Sequence, residues 1–225
     1  MTGRLIVFEG VEGGGKTTQI ARSQQWLEES GWLEFLQTKG YIQGVAQTRE
    51  PGGTSLGQAL RQVLLNDDGA EPLDDRAELL LYAADRAQHV EGYLRPLLAT
   101  GTLILCDRYT DSTVAYQGYG RQLDLSLIDQ LNHIATNGLH SDLTLWFDLP
   151  VELGLARTRQ RGASDRMEQA DITFHQRVQQ GFQVLAHQFP QRIVRIDASQ
   201  PEAMVAAQVQ DILHTYLSQW YAPLP

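Results

Sequence analysis

Gly10-Val11-Glu12-Gly13-Gly14-Gly15-Lys16-Thr17 is the stretch that decides the fold. It fits the spacing G-x-x-x-x-G-K-[ST] and stands between an apolar run of strand length, Leu5-Ile6-Val7-Phe8-Glu9, and a helix-like stretch over 16–30. Glycines in such a loop let successive backbone N–H groups turn inward around phosphate oxygens. The helix that follows adds its unpaired N–H groups and its dipole. In that arrangement Gly10, Val11, Glu12, Gly13, Gly14, Gly15, Lys16, Thr17 and Thr18 surround the phosphates of a nucleotide such as ATP. Lys16 reaches the β- and γ-phosphates, and the Thr17 hydroxyl ligates Mg2+. The bland alternative is a glycine-rich turn with a chance lysine. The strand before it and the helix after it weigh against that reading.

Outward from this loop, apolar runs of strand length fall at 4–9, 45–49, 102–107, 143–148 and 193–197. Helical patterns lie between and after them, at 16–30, 55–65, 74–98, 126–136, 151–160, 171–188 and 202–220. Alternation of this kind predicts an α/β fold of three layers (αβα), a five-stranded parallel sheet with helices on both faces. Right-handed crossovers then gather the strand C-termini at one edge, where ligands sit. Pro96 is expected to kink or shorten the 74–98 helix. The stretch 31–44 reads as a surface excursion anchored by Trp32 and Phe35. No repeat or linker divides the chain, so 1–225 is expected to be a single domain.

Composition narrows the function. The 225 residues carry 18 basic and 27 acidic side chains, a net charge of −9, which argues against general affinity for nucleic acid or acidic membranes. No apolar run approaches membrane-spanning length, and the N-terminus does not read as a signal peptide. The lone cysteine, Cys106, cannot form an internal disulfide and reads as a packing residue of a cytoplasmic protein. Only two of the 18 basic residues are lysines, Lys16 and Lys39. The arginine excess suits phosphate forks, but codon bias would produce it equally.

A GTPase switch needs an Asn-Lys-x-Asp element, and the chain has no Asn-Lys pair. Where AAA-type and recombinase-type ATPases usually end a strand with Asp-Glu, here Leu103-Ile104-Leu105-Cys106-Asp107 runs into Arg108 and Tyr109. An arginine directly after the strand-end acid suits a protein that holds a second phosphate beside the first. That points to a kinase acting on a small phosphorylated substrate.

Five blocks make the comparison specific: Phe8-Glu9-Gly10-Val11-Glu12-Gly13; Thr48-Arg49-Glu50-Pro51-Gly52-Gly53-Thr54; Tyr82-Ala83-Ala84-Asp85-Arg86; Asp107-Arg108-Tyr109-Thr110-Asp111-Ser112 leading to Ala115-Tyr116-Gln117-Gly118; and Asp165-Arg166-Met167-Glu168. In these blocks, and in their order, the sequence resembles the thymidylate kinase family of P-loop nucleoside-monophosphate kinases. The resemblance implies transfer of the γ-phosphate of ATP to dTMP, with Mg2+, in a cytoplasmic homodimer that binds neither nucleic acid nor membrane. It implies that Glu12 accepts a hydrogen bond from the substrate 3′-hydroxyl, and that Arg61 and Arg108 clamp the acceptor phosphate. Arg49 is a further candidate, equally explained by an ion pair. Glu50 would organise these arginines or metal-bound waters. By the same resemblance Tyr82 would stack on thymine, where the family more often has Phe, and Arg86 would bond a thymine carbonyl. Thr113 and Gln117 fall where the family bonds the base edge, and Tyr116 where an aromatic wall disfavours a ribose 2′-hydroxyl. Asp107, ending its strand, is expected to order Mg2+ waters and Arg108.

Arg157, Arg159 and Arg161 form a basic run within an expected lid at about 153–170. The P-loop itself carries no arginine, so the resemblance is to the type whose catalytic arginine comes from the lid. Arg161 is the first candidate and Arg157 the second, covering the transferring phosphoryl group and excluding water on closure. Two alternatives stay open: a related deoxynucleoside or deoxynucleotide kinase of other base preference, and a P-loop switch without transfer activity.

Overall fold

The computed structural model describes residues 3–66, 72–160, 162 and 166–221. Strands β1 (Arg4–Glu9), β2 (Gly44–Arg49), β3 (Thr102–Asp107), β4 (Leu143–Asp148) and β5 (Ile193–Asp197) form one parallel sheet in the order β2-β3-β1-β4-β5. In the central strand, Arg4 to Phe8 pair with Leu103 to Asp107 on one side, and Ile6 to Glu9 pair with Leu143 to Trp146 on the other. Side-chain alternation divides β1 between two cores. Ile6 and Phe8 face one with Leu103 and Leu105; Leu5 and Val7 face the other with Ile104 and Cys106. Both faces are therefore buried, which is why these strands read as unbroken apolar runs.

Among the described residues, ten α-helices cover the two faces: α1 (Lys16–Glu29), α2 (Trp32–Thr38), α3 (Ser55–Leu65), α4 (Asp75–His89), α5 (Arg95–Ala99), α6 (Thr110–Thr113), α7 (Leu125–Thr136), α8 (Val151–Gln160), α9 (Ile172–Gln188) and α10 (Glu202–Trp220). Ile20 and Leu27 of α1, Phe174 and Phe182 of α9 and Val209 of α10 fill the first core, whereas Val90 and Leu94 between α4 and α5 fill the second. Local chemistry starts the helices. Thr54 accepts from the Gly57 N–H at 3.0 Å, and Asp171 from the Phe174 N–H at 2.8 Å, each satisfying a donor the helix leaves free. Among the described residues, no helix is long and apolar enough to cross a membrane.

Three stretches differ in detail from the sequence expectation. The 74–98 helix is interrupted by a wider π turn, Val90–Leu94, at whose end the Arg95 N–H bonds the Val90 carbonyl. Pro96 follows at the start of α5. It has no N–H to donate, so the change of hydrogen-bond register falls where the ordinary ladder already loses a bond. A second π turn, Val114–Gly120, continues α6, where no element was expected. α9 lies against it so closely that a Cβ on Gly120 would stand 2.6 Å from the Phe174 ring.

The 31–44 stretch contains α2, and its anchor goes deeper than a surface excursion requires. Trp32 is 0% exposed and packs edge-on against Phe35 and His214. Trp32→Ala should cost about 3–5 kcal/mol, read as a lowered midpoint in denaturant unfolding. Trp32→Phe should cost less, since the indole N–H has no partner to lose among the described residues. An unchanged midpoint for Trp32→Ala would show that α2 does not stabilise the sheet.

Candidate active site

The loop after β1 is shaped by close backbone approach. Gly13 has φ +73°, and a Cβ there would stand 2.2 Å from the Gly154 carbonyl oxygen of α8. Only glycine meets both constraints. α1 starts from Gly15 with no side-chain cap and no acidic residue in its first turn, so its leading N–H groups face the loop unneutralised. Lys16 Nζ donates to the Gly10 and Val11 carbonyls, each at 3.0 Å, folding the loop around the ammonium. Burial, helped by the charge of Arg108, pushes Lys16 down to about 8. The Thr17 hydroxyl donates to Asp107 Oδ2 at 3.0 Å, joining the start of α1 to the end of β3.

Arg108 holds the two strand ends together. Its backbone takes φ +70°, a left-handed conformation unusual for a residue with a side chain. Its guanidinium lies 4.8 Å over the Tyr116 ring and donates to Glu12 at 2.8 Å, the Gly10 carbonyl at 3.0 Å, and the Ser112 and Tyr116 hydroxyls. The Tyr116 hydroxyl donates to Glu12 at 2.7 Å, and His175 Nδ1 stands 3.7 Å from the same carboxylate. Burial opposes ionisation of Glu12, but Arg108, Lys16 and the Tyr116 hydroxyl outweigh it and hold the carboxyl below its usual range. Beneath them Glu9 accepts from the Tyr109 and Ser112 N–H groups at 2.8 and 3.1 Å, fixing the turn after β3. Burial, with Asp111 nearby, raises Glu9 to about 7.

On the far side Glu50 and Arg86 form a buried pair at 2.8 Å, each side chain 3% exposed, and His89 Nδ1 lies 2.8 Å from the other Glu50 oxygen. Arg86 also donates to the Thr113 hydroxyl and Asn132 Oδ1, each at 2.8 Å, and to the Tyr109 carbonyl at 3.0 Å. Four of its five N–H groups are thus committed. Arg61 donates to the Pro51 carbonyl at 3.0 Å.

One cavity collects these groups. It is lined by Glu12 to Thr18, Arg49, Glu50, Arg61, Tyr82, Arg86, Asp107, Arg108, Thr113, Tyr116 and Gln117. Gly10 and Val11 lie beneath it, contributing carbonyls to Lys16. Arg157 is not in the lining; from α8 it donates to the Ala198 carbonyl at 2.9 Å and to the Gly13 carbonyl at 3.4 Å, bracing the loop from outside. Arg161 lies outside the described residues. Sequence reasoning missed Glu9 and His175. The signal for Glu9 was an acid closing a strand buried on both faces, where a carboxylate needs partners.

A family model described as "Thymidylate kinase" matches residues 8–209. Relatives named "Thymidylate kinase" include one from Cyanothece sp., 63% identical over 98% of this chain and 97% of its own. One from Acaryochloris marina is 57% identical over 98% of this chain and 100% of its own. Another, from Trichodesmium erythraeum, is 57% identical over 98% and 99% respectively.

Proposed function

The chain belongs to the thymidylate kinase family, and from that premise we infer how its residues carry the family's reaction, the transfer of the γ-phosphoryl group of ATP to dTMP to give dTDP. The observation that carries this reading is a single cavity joining the Lys16 phosphate cradle to the acceptor-side groups Arg61, Tyr82, Arg86, Arg108 and Gln117. A switch needs only one nucleotide pocket.

Lys16, with the N–H groups from Gly13 to Thr18, holds the β- and γ-phosphates of ATP. Arg108 and Arg61 hold the phosphate of dTMP, with Arg49 beside them at the cavity wall. An oxygen of that phosphate attacks the γ-phosphorus in line; the bond to the β-phosphate oxygen breaks, and ADP leaves with the electron pair. The attacking oxygen is already an anion, so no strong general base is required. Positioning and charge stabilisation supply the rate. Glu12, kept ionised by Arg108 and Lys16, is suited to accept the 3′-hydroxyl, while Tyr116 closes the site against a 2′-hydroxyl. Tyr82 stacks on the base; Arg86, Thr113 and Gln117 bond its edge. Glu50 holds Arg86 in place. Arg161 remains the proposed lid arginine and Arg157 the second, supported for Arg157 only by its place beside the loop.

The Thr17 hydroxyl and Asp107 carboxylate are hard oxygen donors at the cradle mouth and fit Mg2+. Among the described residues no group of three or more acidic, His or Cys side chains could cage a metal, which suits an ion held largely by phosphates and water. Bound there, Mg2+ would neutralise phosphate charge. A cytoplasmic site is supported by the single buried thiol. A homodimer is supported by Leu80 of α4 and Leu127 and Ile134 of α7, exposed on two packed helices; sedimentation as a monomer would end that reading.

The test is release of ADP from ATP in the presence of dTMP, dUMP, dCMP or dAMP. We expect dTMP to be the best acceptor. Faster turnover with another base would support a related kinase, and nucleotide binding without ADP release would leave only a switch.

A further inference from the structure

We propose that Glu78 sets which base the cavity accepts, by fixing the direction of the Gln117 amide. The proposal rests on reading this cavity as the dTMP site. Glu78 of α4 is 0% exposed and is not itself in the cavity lining; its carboxylate reaches the lining through Gln117. Its Oε1 accepts from Gln117 Nε2 at 2.8 Å. Its Oε2 accepts from Arg121 at 3.1 Å and from Arg166 at a short contact. The two guanidinium groups and the Gln117 amide outweigh the burial that opposes ionisation, so Glu78 stays a carboxylate.

A carboxylate can only accept, so the group Gln117 turns toward it must be its NH2. The amide oxygen is then left for the cavity, and it has no hydrogen-bond partner among the described residues. Thr113 is set in the same way. Its hydroxyl oxygen accepts from Arg86 at 2.8 Å, which leaves its proton to donate. The wall therefore offers a fixed acceptor from Gln117, beside donors from Thr113 and the N–H of Arg86 left without a partner among the described residues.

That polarity matches the edge of an imide base. Thymine and uracil carry an N3–H donor next to carbonyl acceptors, whereas cytosine carries an N3 acceptor next to an amino donor. Cytosine meets acceptor with acceptor and donor with donor, and the unmatched groups are desolvated without return. Glu78 is a positioning residue that acts through Gln117. Arg121 and Arg166, drawn from two other segments, hold it in turn.

Glu78→Gln supplies the test. Arg121 and Arg166 would claim the new amide oxygen, so its NH2 would face Gln117. Gln117 would then turn its oxygen away from the cavity and present its NH2 to the base. We expect the ratio of kcat/KM for dTMP over dCMP to fall at least about tenfold, with KM for ATP unchanged. A folded variant that keeps the wild-type ratio overturns the proposal, even if both rates fall together. If Glu78→Gln does not fold, Glu78→Asp draws the carboxylate back from Gln117, and the same ratio should fall; an unchanged ratio there overturns it equally. Wild-type protein that fails to phosphorylate dTMP at all would instead refute the substrate reading on which the proposal stands.

Discussion

Arg108→Ala should lower turnover with dTMP about 10²–10³-fold, the range for removing one preorganised hydrogen-bond donor from an active site. Arg108 bonds the Gly10 carbonyl on the donor side and Glu12 and Tyr116 on the acceptor side. Its loss therefore removes both the proposed phosphate ligand and the tie between the halves. Stability should fall as well, by up to about 3 kcal/mol, because Glu12 would lose its ion-pair partner in a largely buried position and keep only the Tyr116 hydroxyl, His175 and the charge of Lys16. In the intact protein Glu12 is held below its usual range, so its stabilising contribution is full above the unfolded-state value of 4.5 and is lost as pH falls through the lower folded value. Without Arg108, burial gains the upper hand and the acid limb of the activity profile should move to higher pH. The double variant with Glu12→Ala should recover part of the lost stability, since the stranded carboxylate goes too. Kinetics and thermal unfolding on the four proteins of this cycle would decide it; unchanged turnover in Arg108→Ala would remove Arg108 from the chemistry.

Lys16→Met should abolish nearly all activity, a loss of about 10³-fold in turnover, while leaving the fold intact. The methionine stem fills much of the same space, and the buried ammonium is itself costly. That cost carries a pH signature. Burial holds Lys16 down at about 8 in the folded protein, against its ordinary value of 10.5. Between those values the unfolded chain binds the proton that the folded chain has released, so stability rises with pH across that window. The same shift predicts that ATP binding above about pH 8 takes up a proton, because phosphate oxygens favour the charged amine. Calorimetry in buffers of different ionisation enthalpy would detect the uptake, and Lys16→Met should not show it. Equal uptake in both proteins would assign the proton to another group.

The five strands were legible because parallel strands buried on both faces are apolar runs, and Leu5 to Phe8 or Leu143 to Phe147 have no competing pattern. The shape of the glycine-rich loop was legible because it is local: Gly13, Gly15, Lys16 and Thr17 lie next to one another on one turn. The segment after β3 was not. Its left-handed turn at Arg108 and its wide helical turn over Val114–Gly120 depend on Glu9 below and on α9 packed against Gly120. Neither neighbour is near in sequence. The partners that hold Arg86 were not legible either: Glu50, Thr113, Asn132 and Tyr109 take four of its five N–H groups, and none lies near it in sequence.

The sequence by itself determined the order of strands and helices, the glycine-rich loop after the first strand, and which side chains to look for at one site. Those properties come from the periodicity of burial and from residues adjacent along the chain. Only the tertiary structure decided which of those groups face each other and which way they point. Arg108 meets Glu12 across 96 residues and Gln117 meets Glu78 across 39. The sheet order puts β3 beside β1, and α4 packs against α7, which itself packs on the turn bearing Gln117. A donor or acceptor has no direction until its partner is in place, so the polarity of the site exists only once the chain has folded.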